Sequence, residues 1–258
     1  MFRNLNQIKK SQFVIVGILL SVYLANVMFT TATSIDTRRP LADTAKSNFA
    51  GSASCADCHK DIYESHIKTA HYLDSRPAAK QFIKGSFDKR KNKFVYNKWM
   101  EVVLEQKADS FFQTAYINGA EYKREAFGIV IGSGRKGQTY LYWDENKLFQ
   151  LPVSYYTNLN SWCNSPGFPI NLVKFDRIIP AECIECHGTY AKVETDDNGE
   201  PFYDKSKIIY GIDCERCHGP AAEHVAFQKM HPEEKRGKYI INITQLTRQQ
   251  RLDACALC

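Results

Sequence analysis

Cys183-Ile184-Glu185-Cys186-His187 and Cys214-Glu215-Arg216-Cys217-His218-Gly219-Pro220 are two copies of one pattern, joined by a connection over residues 188–213. Thiols three residues apart share one face of a helical turn, and this spacing captures the two vinyl groups of a haem. A histidine directly after the second thiol then reaches the iron. The pattern occurs again at Cys55-Ala56-Asp57-Cys58-His59, and Cys255-Ala256-Leu257-Cys258 stops one residue short of where a fourth histidine would stand. His59, His187 and His218 are therefore expected as proximal iron ligands. Cys255 and Cys258 are expected to attach a fourth haem in a chain that continues with histidine, so the C-terminal part reads as truncated.

The same eight cysteines admit a second chemistry, because paired CxxC units also build tetrahedral zinc sites. Two observations favour haem. Histidine follows the CxxC at once in all three complete copies, which a zinc ribbon does not require. The chain also begins with an export pattern, which takes the thiols to the compartment where haem is attached.

That pattern occupies residues 1–32. Arg3, Lys9 and Lys10 precede the apolar run FVIVGILLSVYLANVMF over 13–29, and polar Thr30 and Thr31 follow. The run is longer than most signal-peptide cores and shorter than a comfortable membrane span, so it reads as a signal peptide cleaved after Ala32 or as a membrane anchor. Either way the body is expected outside the cytoplasm, periplasmic or otherwise extracytoplasmic. Residues 33–50 read as a linker and 51–258 as a cytochrome domain.

With 44% hydrophobic and 12% aromatic residues, this body can bury a core. The formal charge of +6 does not imply an anionic partner. Removing 1–32 takes away three cations and no acid, which leaves +3. Each ferric haem with two ionised propionates then brings about one negative charge. No nucleic-acid partner is expected. The basic, aromatic stretch 80–100, with Lys84, Lys89, Arg90, Lys91, Lys93 and Lys98 among Phe82, Phe87, Phe94, Tyr96 and Trp99, reads as a solvated face or as a docking patch for an acidic redox partner.

Helix is expected from Ser54 through Ala70, where Ile62, Tyr63, His66 and Ile67 recur at helical steps. From about residue 93 the period becomes two. Met100–Leu104, Phe111–Ile117, Tyr122–Ile131, Gln138–Trp143 and Leu148–Tyr156 read as strands, with Asn118-Gly119 as a hairpin turn and a second turn at 144–147. The glycine-rich loop 132–137 lacks the order of a phosphate cradle and reads as a turn. Unpaired Cys163 reads as a small buried hydrophobe. The expected class is α+β: mainly irregular helices around haems, with an antiparallel sheet inserted at about 85–160.

Four histidines lie outside the motifs: His66, His71, His224 and His231. His66 and His71 are five residues apart, too far around a helix to serve one iron. His224 lies on a short helix that Pro220 can start, where an imidazole can be aimed at a neighbouring haem. Past residue 32 the only methionines are Met100 and Met230, so mostly bis-histidine haems are expected. Such haems pass electrons without binding substrate, and an enzyme would need one open iron.

Gly51-Ser52 through His59 with Tyr63 and Thr69-Ala70-His71, and Cys214 through His224, resemble segments of the multihaem cytochrome c superfamily that includes hydroxylamine oxidoreductase and its tetrahaem electron acceptor. Gly132-Ser133-Gly134, Leu151 through Tyr156 and Ser165-Pro166-Gly167 resemble exported members that carry a β insertion. The resemblance spans residues 50–258. It implies distal iron ligation by His71 and His224; His66 and His231 remain further candidates as spare histidines of the sequence. It also implies an electron carrier whose partners are quinol-side proteins or other cytochromes. The alternatives are a haem enzyme of nitrogen-oxide or hydroxylamine chemistry, and a zinc-stapled extracellular module.

Overall fold

Asn118 and Gly119 take φ values of 53° and 80°, the two left-handed positions of a tight hairpin turn, as their sequence anticipates. This turn joins β4 (Ser110–Ile117) to β5 (Ala120–Ala126) in a four-stranded antiparallel meander with β2 (Lys93–Asn97) and β3 (Met100–Lys107). The computed structural model describes residues 48–256 and 258. The signal or anchor at 1–32, its apolar run 13–29 and nearly all of the linker lie outside the described residues. Among those described, no helix is long and apolar enough to cross a membrane.

A second antiparallel sheet runs in the order β1 (Ser75–Pro77), β6 (Ile129–Ile131), β7 (Gly137–Asp144), β9 (Val153–Tyr156), β10 (Ser161–Asn164), with β8 (Lys147–Gln150) paired to β7. Its strands alternate, and both faces are used. Tyr140, Tyr142, Val153, Tyr155 and Trp162 pack against Val102, Leu104, Phe111 and Ala115 of the meander. On the opposite face, Ile129, Leu141 and Leu148 pack against Ile179, Ile184 and Tyr203. One buried side chain stitches the two sheets together. The Gln113 amide accepts from Val153 N at 2.9 Å and donates to Val153 O at 2.6 Å, so an uncharged polar group is satisfied inside the core.

The basic stretch divides by residue type. Phe82, Phe87, Phe94 and Tyr96 pack on the core, while Lys84, Lys89, Arg90, Lys91, Lys93 and Lys98 are exposed. Loop 132–137 is a turn, with Gly132 and Gly134 at positive φ. Cys163 is partly buried on β10, where burial pushes its thiol pKa up.

The expectation of a mainly irregular helical fold is overturned. Among the described residues, strand accounts for 35% and helix for 23%. Among the described residues the α-helices are α1 (Ser52–Ala56), α2 (Lys60–His66), α3 (Ala181–His187), α4 (Cys214–His218), α5 (Ala222–Met230) and α6 (Arg248–Cys255), each of nine residues or fewer. There are two physical reasons. The attachment motifs need only one helical turn each, and the chain leaves that turn at once. In addition, the connection after the second motif is a twisted hairpin, β11 (Gly188–Thr195) and β12 (Pro201–Tyr210). Its tip is closed by Lys147, which reaches Asp196 and Glu200 at 2.6 Å each. These contacts hold the Asp196 carboxyl below its usual range.

Candidate haem-attachment site

Each helical motif places its two thiols on one face of a turn: α3 carries Cys183, Cys186 and His187, and α4 carries Cys214, Cys217 and His218. α1 carries Cys55, with Cys58 and His59 in the break before α2. α6 ends at Cys255 and begins with a capping box, in which Thr247 and Gln250 satisfy each other's backbone N–H groups. Cys55, Cys58, Cys183, Cys214, Cys217, Cys255 and Cys258 of the motifs are free thiols.

The fold brings the motifs together out of chain order. The Cys55 and Cys214 thiols lie close enough to shift each other's pKa. Their proximity lowers the Cys55 pKa and raises that of Cys214, with burial adding to the latter rise. Cys186 and Cys258 pair reciprocally, each Sγ contacting the other's carbonyl oxygen at 3.9 and 4.0 Å. Cys217 lies within electrostatic reach of Cys255 and Cys258, and its own pKa is raised mainly by burial. The third motif thus meets the first on one side and the fourth pair on the other, and the fourth pair meets the second.

A polar lattice holds this arrangement. Gly211 N donates to Ser75 Oγ at 2.8 Å, Thr189 Oγ1 donates to Gly211 O at 2.7 Å, and Asp213 N donates to Thr189 Oγ1 at 2.8 Å. Asp213 caps α4 by accepting from Cys214 N at 2.7 Å. Ile212 N donates to the His71 carbonyl at 2.9 Å. Gly211 has φ 71°, and a Cβ there would lie 2.1 Å from the Tyr72 carbonyl oxygen, so only glycine fits this crossing.

The imidazoles divide by what their nitrogens do. His218 Nδ1 faces Ile241 O at 2.8 Å, and His224 Nδ1 faces Lys238 O at 2.8 Å. A carbonyl only accepts, so Nδ1 is the donor in each, which in the neutral imidazole places the lone pair on Nε2. His187 Nδ1 faces Asp74 Oδ2 at 2.8 Å, and that carboxylate raises the His187 pKa against the effect of burial. This is the usual outer-shell support of a metal-binding histidine. His59 is exposed at the start of α2, and His71 is exposed. His66 reaches the third motif instead: its Nε2 is 3.1 Å from Ile212 O and 3.9 Å from Asp213. His231 is exposed, stacks on Phe227 and lies 3.4 Å from Glu233.

Thiols in turn-spaced pairs and imidazoles held through Nδ1 are a donor set that fits covalent haem. A zinc staple finds less support. Among the described residues, the only three donors within 4.8 Å of one another are His66, Asp213 and Cys214, and no group joins two CxxC pairs. Sequence reasoning missed Asp74, Thr189, Asp213 and Glu215, because their partners lie far away in the chain.

Residues 172–219, which hold the second and third motifs and the hairpin between them, match the family described as cytochrome c554 and c-prime. The fold is similar to the crystal structure of the outer cell wall cytochrome OcwA, with a TM-score of 0.51 and 18% identity over 81% of this chain. The chain spans 36% of the length of that structure. No curated protein matches the chain significantly. The family match is confined to residues 172–219, and the likeness to OcwA is one of fold.

Proposed function

We propose that the protein is an exported multihaem c-type cytochrome that passes electrons along covalently attached, mostly bis-histidine haems. The observation that carries this reading is the convergence of the four thiol pairs, first to third, third to fourth and fourth to second. When bound, haem c supplies a one-electron iron couple at each pair. The protein's part is to attach, orient and space these groups. His187 and His218, held at Nδ1 by Asp74 and Ile241, are aimed as proximal ligands, and His224 offers a similarly oriented Nε2. His66, His71 and His231 are further distal candidates. The apolar run at 13–29 supports export, and the partners are other redox proteins.

The test is the visible spectrum of the dithionite-reduced, haem-loaded chain before and after carbon monoxide. A c-type α-band that carbon monoxide leaves unchanged supports the carrier. A partial shift means one open iron and favours the enzyme, and a spectrum without a haem band overturns both.

Asp74→Asn probes the site itself. A carboxylate on Nδ1–H makes the imidazole a stronger donor and favours the ferric state. The amide is expected to raise the midpoint potential of one haem in a spectroelectrochemical titration while the haem count stays unchanged. Potentials all equal to those of the wild type would remove Asp74 from the site.

A further inference from the structure

Glu215 lies between the two attachment thiols of the third motif, yet it is 3% exposed. The matching position of the second motif is Ile184, a buried apolar side chain in the sheet-facing core. A carboxylate at such a depth is tolerated only with full hydrogen bonding, and Glu215 has it. Oε1 accepts from Ala50 N at 2.7 Å and from Ala221 N at 2.8 Å, and Oε2 accepts from Gly51 N at 2.9 Å. Two of these donors belong to the segment that enters the first motif, 164 and 165 residues away. The third follows Pro220 and leads into α5.

The position of the clamp matters more than its strength. Gly51 is the N-cap of α1 at φ 77°, and Ser54 N and Ser54 Oγ return bonds to Gly51 O at 3.0 Å and Ala50 O at 2.9 Å. The clamped backbone therefore runs directly into Cys55, while Glu215 is the immediate neighbour of Cys214. These are the two thiols that shift each other's pKa. Nearby, Lys229 of α5 lies 3.5 Å from Asp57 of the first motif, an exposed pair that adds little. We propose that Glu215 is a positioning residue that ties the first and third attachment motifs into one rigid pair and so sets the electronic contact between their haems. The proposal rests on the electron-transfer reading above. It adds to that reading the element that fixes the distance between two of its centres.

Glu215→Gln replaces one acceptor oxygen with an NH2 group facing backbone N–H donors, so part of the clamp is lost while size is kept. Three readouts on the haem-loaded chain test it: covalent haem count, amide hydrogen exchange at residues 50, 51 and 221, and electron paramagnetic resonance of the ferric protein. The expected result is an unchanged haem count, amides 50 and 51 exchanging about tenfold faster or more, and loss of the spin-coupled signal of the pair, with isolated low-spin ferric signals in its place. Glu185→Gln, in the second motif, changes an exposed side chain and serves as the control that leaves the coupling intact. Glu215→Asp keeps the charge but is one methylene short. It is expected to uncouple the pair as well, and is read instead if Glu215→Gln does not fold. Coupling equal to that of the wild type with all haems attached overturns the role of Glu215 and leaves the cytochrome reading standing. A wild-type chain without covalent haem overturns the cytochrome reading, and the clamp proposal with it.

Discussion

Changing Cys214 and Cys217 together to serine is expected to remove one covalent haem per chain and to interrupt electron flow between the first motif and the second. The third motif is the hub. Cys214 meets Cys55, and Cys217 faces the fourth pair. The substitution removes both thioether positions but little of the fold. The α4 cap is a bond from the backbone N–H of residue 214 to Asp213, and the Glu215 clamp uses backbone donors, so neither needs a thiol. Intact mass and pyridine haemochrome content give the haem count directly. Stopped-flow reduction then reports whether the remaining haems still equilibrate quickly. A haem count equal to that of the wild type would contradict the assignment of this motif.

Trp162→Ala is expected to lower folding stability by about 3–5 kcal/mol, the range for emptying a large aromatic from a packed core. Trp162 is 3% exposed on β10. Its ring centroid lies 5.3 Å from Tyr155, 5.5 Å from Tyr140, 5.9 Å from Phe87 and 6.5 Å from Phe127, and its Nε1 donates to Ser86 O at 2.9 Å. The indole also covers Gly85, where a Cβ would lie 2.0 Å from Cζ2, so this backbone is shaped around the ring. The urea midpoint should fall by about 1–2 M, given usual denaturant slopes for a domain of this size. The haem count should not change, because the attachment motifs lie against other elements. Trp162→Phe keeps most of the packing and leaves Ser86 O without its donor, so it should be clearly milder. A loss below about 1 kcal/mol for the alanine variant would show that the two sheets do not depend on this aromatic cluster.

The meander and the strands around it were readable because their cues are local. Alternation from Met100 to Lys107 buries Val102 and Leu104 completely, and Asn118-Gly119 supplies two left-handed residues in succession. The hairpin over 188–210 was not recognised, although Asp196-Asp197-Asn198-Gly199 is turn chemistry. Its strands carry Lys192, Glu194, Asp204, Lys205 and Lys207, and Tyr203 is the only fully buried side chain on β12. A half-exposed ribbon has a weak alternation signal. That omission, together with the extra strands β1 and β10, turned an expected helical cytochrome with an insertion into a largely β protein.

The haem-attachment pattern was legible in the sequence alone. Two thiols at a three-residue spacing with an adjoining imidazole are a property of one helical turn, whatever surrounds that turn. Which motif faces which was decided only by the tertiary structure. The Cys55–Cys214 contact, the Asp74 support of His187 and the buried Glu215 carboxylate all join residues far apart in the chain, up to 165 positions for the Glu215 clamp. Such bonds form only after the sheets and the 188–210 hairpin have brought their partners to within about 3 Å, because hydrogen bonding acts at contact range and carries no trace in local spacing.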